Sequence, residues 1–287
     1  MRENVDLAYC MTLPPREAIA YLRGKGYVIS WDWEEVWQEA HARAFTVAKV
    51  TRLDILQDIR EAAQKTLEEG RTAQWFEGTL TDVLKRKGWW GRTKMTDPHT
   101  GEIAPVQLGS PWRLETIYRT NTQTAYMAGR YARQMENADD RPYWQYVAIM
   151  DSRTRPTHRA LNGQVFRHDD PFWLSYYPPN GWRCRCRVTT LSAHEVGRLG
   201  IKIETSAGKL GKTTRLVSQK TGELKEVATY RTTNPITREP VVVSPDVGWS
   251  YNPGMAWQPE LSRYSGDLAG LAKGELRREV QDSTLRI

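Results

Sequence analysis

Several things are scarce in this sequence of 287 residues, and each scarcity excludes something. There are three cysteines and four phenylalanines, and nowhere a run of about 18 apolar residues, so no segment has the make-up of a membrane-crossing helix. The opening residues, MRENVDLAYC, lack the apolar stretch of a secretory signal. Cys184 and Cys186 are separated by one residue, too close for an easy mutual disulfide, and the odd count leaves one thiol over. A reducing cytoplasm is therefore the expected place of assembly. The chain has no glycine-rich phosphate loop, no GxGxxG, no HExxH and no GxSxG, which removes the common nucleotide, zinc-protease and esterase readings. A zinc deaminase needs His-x-Glu and Cys-x-x-Cys, whereas His194 and Glu195 are adjacent and the cysteines are spaced Cys-x-Cys. Asp169-Asp170-Pro171 reads as a turn capping Phe172-Trp173. Nothing fixes Asp151 and these carboxylates around a metal, as a nuclease would require. No enzyme is expected.

Tryptophan is abundant, twelve residues against four phenylalanines. Its ring is apolar with one polar edge, which suits large shared interfaces better than a deep aliphatic interior. A hydrophobic content of 39% and a mean hydropathy of −0.65 are low for one compact globule. The net charge is +7, and it is unevenly placed. Residues 141–200 hold nine arginines and no lysine against three aspartates and one glutamate. Arginine without lysine favours planar, two-pronged contacts to phosphate or carboxylate. That leaves two readings, a surface for nucleic acid or an acidic partner, and a set of internal Arg–Asp pairs.

The apolar spacing predicts an α+β protein: a helical N-terminal half over residues 1–140, a small β-rich module over 141–254, and a C-terminal tail over 255–287 that is partly helical. Helices are expected after Pro14-Pro15, from a Ser30 cap through Val47, over Asp54–Gly70, over Thr72–Lys87 and over Trp112–Met135. A hairpin or ordered loop is expected over 93–109. In the longest helix Asn121 lies on the apolar stripe, where it reads as a satisfied hydrogen bonder rather than a catalytic group. Strands are expected at Tyr143–Met150, Thr213–Val217, Val227–Thr232 and Val241–Val243.

The densest chemistry lies between Asp151 and Val188. Asn162-Gly163 and Asn180-Gly181 read as turns with positive φ, and Pro178-Pro179 stiffens the approach to the second. If the next residues are extended, Cys184 and Cys186 face one way and Arg183, Arg185 and Arg187 the other. The second face, beside Trp182, would form a cationic strip with a stacking surface for DNA or a protein partner. His158, Cys184 and Cys186 are three soft ligands of the kind that hold structural zinc. Asp151 and His168 are the options for the fourth, and neither is compelled by spacing. The alternative is a metal-free cluster in which the thiols pack as small hydrophobes.

These residues carry a resemblance. Pro15–Gly26 with His41–Ala48, Ile117–Tyr126, the stretch from Asp151 through His158, Leu161 and Gly163 to Pro178-Pro179-Asn180-Gly181-Trp182-Arg183-Cys184-Arg185-Cys186, and Gly248–Gly254 follow in order the pattern of the phage Mu F-like minor head proteins. Some relatives have a Cys-x-x-Cys pair where this chain has Arg155 and His158, and the departure at Arg155 removes a metal ligand. The resemblance implies a non-enzymatic minor capsid component of a tailed phage, acting in head morphogenesis and lying inside the head or at the portal vertex. The partners it implies are the portal or major capsid protein, other virion subunits and double-stranded DNA, with no membrane. The competing expectation is a DNA-processing enzyme built on His158, Cys184 and Cys186.

Overall fold

The computed structural model describes residues 15–234 and 237–257, and the fold is α+β, as expected. Helix α1 (Arg16–Arg23) buries Ala18, Ile19, Tyr21 and Leu22 and stops at Gly24. The helix expected from Ser30 to Val47 does not form. In its place stand strand β1 (Gly26–Tyr27), a single tight turn at Trp33–Glu35 closed by an Asp32/Glu35 capping box, the short helix α2 (Ala40–Arg43) and strand β2 (Ala44–Phe45), which runs parallel to β1. Ser30 spends its hydroxyl on Thr46, 2.6 Å away, instead of on a helix terminus, and Gln38 has a positive φ of 42°. Apolar residues at helical spacing here serve an irregular segment held by tertiary packing, which overrides a weak propensity.

The next three helices follow their expected bounds. Helix α3 (Leu53–Glu69) ends on Gly70 in the left-handed region, as a glycine stop should. Helix α4 (Ala73–Arg86) starts with the Thr72 hydroxyl accepting from the Trp75 amide. Strands β3 (Arg92–Thr96) and β4 (Ile103–Gln107) form the hairpin. Helix α5 (Pro111–Glu136) opens with proline in its first turn, and the Ser110 hydroxyl accepts from the Arg113 amide.

Beyond α5 the elements shorten: β5 (Tyr143–Val147), α6 (Pro156–Leu161), β6 (Val165–Arg167), α7 (Phe172–Tyr176), β7 (Arg187–Leu191), α8 (Ala193–Leu199) and β8 (Ile203–Glu204). Their four strands form one sheet in the order β7-β5-β6-β8. A three-stranded antiparallel meander follows, β9 (Leu210–Leu216), β10 (Leu224–Thr233) and β11 (Pro240–Val243). Helix α9 (Pro253–Trp257) is the last described element, so the helix expected over 261–286 lies outside the described residues.

Helix α5 is the wall between two cores. Its Leu114, Ala125 and Ala128 pack with α1, α3 and α4, while Met127 and Tyr131 pack with the sheet module. The apolar spacing puts Leu114, Ile117, Tyr118, Asn121, Ala125, Ala128, Ala132 and Met135 on one stripe, and this describes one face only: Ala132 is half-buried and Met135 exposed, because the second buried face is offset from it. Gly129 is where α1 crosses α5. A Cβ there would lie 2.8 Å from the Ala18 amide nitrogen, so a side chain would push the helices apart. Trp249 and Tyr251 return from the far end of the described chain to complete the first core.

Candidate functional site

The two Asn-Gly pairs are built differently. Asn162 (φ −60°, ψ 128°) and Gly163 (φ 84°) make a type II turn closed by the Gln164 amide donating to the Leu161 carbonyl at 3.2 Å. The turn is fastened to β5, since the Asn162 Oδ1 accepts from the Ala148 amide and the Gly163 amide donates to the Tyr146 carbonyl. Gly181, by contrast, has no positive φ. The left-handed residue is Arg183, at φ 59°. Glycine is needed at 181 because a Cβ would sit 2.2 Å from the Asp246 Oδ2. Pro179 and Asn180 are buried beside it. Asn180 accepts from the Tyr146 hydroxyl at 2.9 Å, donates to the Ser175 carbonyl, and takes the Asp246 amide on its own carbonyl.

This loop brings Cys184 and Cys186 to His158 on α6. The three are 5%, 2% and 3% exposed, and the His158 Nδ1 faces both sulfurs, at 3.8 Å from Cys184 and 3.4 Å from Cys186. The Cys184 thiol is held well below its ordinary value, chiefly by a hydrogen bond from Cys186, with His158 adding to it. The same bond, together with burial, pushes the Cys186 thiol far up.

The distances match the edges of a tetrahedral zinc site, where nitrogen and sulfur ligands stand about 3.6 Å apart. A closed site needs a fourth ligand, and neither expected residue joins the cluster. Asp151 is gripped by Arg185 through two hydrogen bonds of 2.6 and 2.8 Å. His168 lies against the Trp144 ring, with centroids 6.1 Å apart. The flank of the cluster is instead occupied by Arg155, which bonds the Trp182 carbonyl and the Asp246 carboxylate, both at 2.9 Å. Its charge opposes the rise that burial imposes on Cys186 and Asp246. Among the described residues the cluster is three ligands and a cation, which do not complete a closed zinc site.

The cationic strip does not form. Arg183 is in the left-handed region and β7 begins only at Arg187, but burial alternates from Cys184 to Val188, with the thiols buried and Arg185 and Arg187 outside them, so it is pairing and not backbone direction that closes the strip. Arg183 pairs with Glu115 of α5 at 2.6 Å, and Arg185 with Asp151. Arg187 alone of the three is exposed without an ion pair among the described residues. Trp182 packs edge-on against Trp249 at 5.1 Å and Trp33 at 6.2 Å, so its ring is not an open stacking surface. Elsewhere in the module Arg141 pairs with Glu195 and Arg167 with Asp169, and Arg159 donates to the Asp151 carbonyl. The arginine density is mainly an internal network. The Asp170 carboxylate accepts from the Phe172 amide at 2.9 Å, which makes the expected turn cap.

Two participants carry no local sign of their role. Asp246 is paired with Arg155 across ninety residues of chain, and Glu115 reaches Arg183 from the other half. Asn121 bonds the Ile117 carbonyl one turn earlier, at 2.9 Å. A second group of possible ligands, Asp32, Glu35 and His99, is partly exposed, with Asp32 paired to Lys49 and Lys220 and Glu35 to His99.

With this arrangement in place, the comparisons with known proteins are informative. Residues 57–189 match the family of phage Mu protein F like proteins. It is 49% identical over 285 residues to the F protein of Escherichia phage Mu, a candidate capsid assembly protein, covering 99% of this chain and 62% of that one. It is 44% identical over 262 residues to the Mu-like prophage FluMu F protein of Haemophilus influenzae, covering 90% of this chain and 60% of the relative. The chain thus spans about three-fifths of the length of these relatives. No solved structure matches it.

Proposed function

We propose that this chain is a structural component of phage head assembly, carried in the virion, with no enzymatic activity of its own. The observation that carries this reading is the sequestration of the motif's reactive groups: His158, Cys184 and Cys186 are buried and turned on one another, and seven of the nine arginines of residues 141–200 are engaged by acids or carbonyls. A catalytic thiol or histidine needs access to its substrate. The capsid-assembly description of the Mu relative supports the same reading. The finer assignment is a place inside the head or at the portal vertex, docked on the portal or major capsid protein. Tyr27, Val28 and Ile29, exposed in succession, give this docking an apolar strip. The internal pairing of Arg183 and Arg185 favours protein partners over DNA. Quantitative mass spectrometry of purified proheads and virions tests the reading: the protein is expected in both, and its absence from both would sink it. Undiminished DNA cleavage by wild type with Zn²⁺ or Mg²⁺, lost in His158→Ala, would favour the enzyme instead.

The cluster of His158, Cys184 and Cys186 is proposed to stand without a metal, with Arg155 supplying the positive charge. Elemental analysis is expected to find well under one zinc per chain, and a chelator to leave the melting temperature unchanged. One tightly held equivalent, lost in Cys184→Ser/Cys186→Ser, would reverse this.

A further inference from the structure

A cavity of about 160 Å³ opens between the irregular segment around Lys25–Ala48, the first half of α5, and the returning residues Gly248–Tyr251. Its walls are rich in aromatic rings, with Trp33, Trp112, Trp182 and Trp249 all contributing, and no aspartate or glutamate among the described residues lines it. Lys25 lines it too, although Lys25 is only 6% exposed. The Lys25 ammonium lies 4.8 Å from the centre of the Tyr21 ring. It has no ion pair and no side-chain hydrogen bond among the described residues. The Thr120 hydroxyl, also on the wall, is buried and has no partner.

The surroundings raise the cost of that ammonium. Arg113 on the same wall is largely buried and is matched by carbonyl oxygens of Gln107, Leu108 and Ala48, with no carboxylate. Arg60 and His41 stand close enough to Lys25 to interact with its charge. A buried cation among other cations, without a counter-ion, is among the least favourable arrangements in a protein interior. Such arrangements concentrate where a ligand completes them.

We propose that this cavity binds a carboxylate carried on a flat apolar body about the size of one six-membered ring, with Lys25 as its counter-ion and the Thr120 hydroxyl as a donor. The size follows from the volume, since an apolar cavity of about 150 Å³ accommodates benzene. The aromatic walls supply the stacking and edge contacts such a body seeks. The charge follows from the donors. Arg113 directs three of its five N–H bonds to backbone carbonyls, so the Lys25 ammonium and the buried Thr120 hydroxyl are the pair of wall donors left unmatched in the interior, which suits a planar monoanion better than a phosphate dianion that needs several donors. The acid can come from a free small molecule or from the terminal carboxylate of a partner chain ending in an aromatic residue.

The test uses the intact protein, with thermal unfolding and tryptophan fluorescence as readouts and millimolar benzoate, N-acetylphenylalanine, N-acetylphenylalanine amide and benzyl alcohol as probes. Benzoate is expected to raise the melting temperature and perturb the fluorescence, and benzyl alcohol to do so far less. Lys25→Met should weaken benzoate by about tenfold or more, the scale of one charged hydrogen bond, while leaving benzyl alcohol unchanged. Thr120→Val is the second, milder variant and should weaken benzoate alone. If Lys25→Met does not fold, NMR of ¹³C-methylated lysines in the wild type replaces it, with the Lys25 signal expected to move on adding benzoate. Tighter binding of N-acetylphenylalanine than of its amide or of benzoate assigns the chain terminus as the source, and the reverse order assigns a free acid. Equal responses to benzoate and benzyl alcohol, an unchanged benzoate response in Lys25→Met, a stationary Lys25 signal or no response to any acid would overturn the proposal.

Discussion

The two cores on either side of α5 are made of different materials. The first is largely aliphatic, with Ile55, Leu56, Ile59, Leu67, Leu80, Leu84 and Leu114 packed around alanines. The second is a mesh of rings: Trp144, Phe166, Phe172, Trp173, Tyr176, Tyr177 and Tyr230 stand with neighbouring centroids 4.1 to 6.1 Å apart. Three of its hydroxyls are tethered, Tyr146 to Asn180, Tyr176 to the Val243 carbonyl and Tyr177 to Gln134, while the Tyr230 hydroxyl and the Trp144 indole N–H are buried without a hydrogen-bond partner among the described residues. Aliphatic packing accepts many arrangements of similar volume. Rings packed edge to face, several of them tied at the polar end to one partner, accept few. The half of the molecule with the regular helices is therefore the more forgiving half, and the half with short strands and loops is the more closely specified.

The sharpest way to break this contrast is to cut into both cores and compare. Trp144→Ala should cost about 3–5 kcal/mol, against about 0.5–1.5 kcal/mol for Ile59→Val, measured by denaturant unfolding. Equal costs would erase the distinction. Gly181→Val should cost about 1–3 kcal/mol, because its side chain meets the Asp246 carboxylate. Gly163→Val should cost a similar amount for a different reason, a β-branched residue at positive φ. The two causes separate on adding Asp246→Ala, which should relieve Gly181→Val and leave Gly163→Val unrelieved.

A third test uses pH and belongs to the first half alone. Burial, with Arg60 adding to it, pulls Lys25 down to about 7, and burial, with Lys25 adding to it, pulls His41 down to about 4. In the unfolded chain these groups titrate near 10.5 and 6.5. Between each pair of values the unfolded state binds the proton that the folded state releases, so stability rises with pH in both windows. The melting temperature should climb from pH 5 to pH 9, and Lys25→Met should flatten the part above pH 7. A wild-type melting temperature that is level or falling between pH 7 and pH 9 would contradict this. The smallest effect is expected at the seam between the halves. Arg183→Gln removes a pair whose two side chains are each about one-third exposed, and should cost only about 0.2–1 kcal/mol.

What was legible in the sequence divides along the same line. Helices α3, α4 and α5 are set by local rules: apolar residues three and four apart, Thr72 and Ser110 as caps, Gly70 as a stop. Residues 30–47 satisfy the same spacing and yet form no long helix, because Ser30, Thr46 and Val50 are claimed by partners outside a helix. In the module, the meeting of His158 with Cys184 and Cys186 and the Asn162-Gly163 turn were legible from residue type and spacing. The partners of Arg183 and Arg185 were not, since Glu115 and Asp151 lie far from them along the chain and residue spacing says nothing of which acids fold beside them. Nor was Asp246, whose contacts with Arg155 and Gly181 exist only once the chain has folded back.

The return of Trp249 and Tyr251 to the first core has a consequence for the order of events at the ribosome. Synthesis proceeds at about 5–20 residues per second, and more than a hundred residues separate Ala128 from Tyr251. The helices of the first half therefore wait on the order of ten seconds, fully translated, for the two aromatic residues that close their interior. During that interval the nascent chain exposes apolar surface later covered by its own distal segment. A chaperone engaging the helical half is expected to let go only after Tyr251 has emerged.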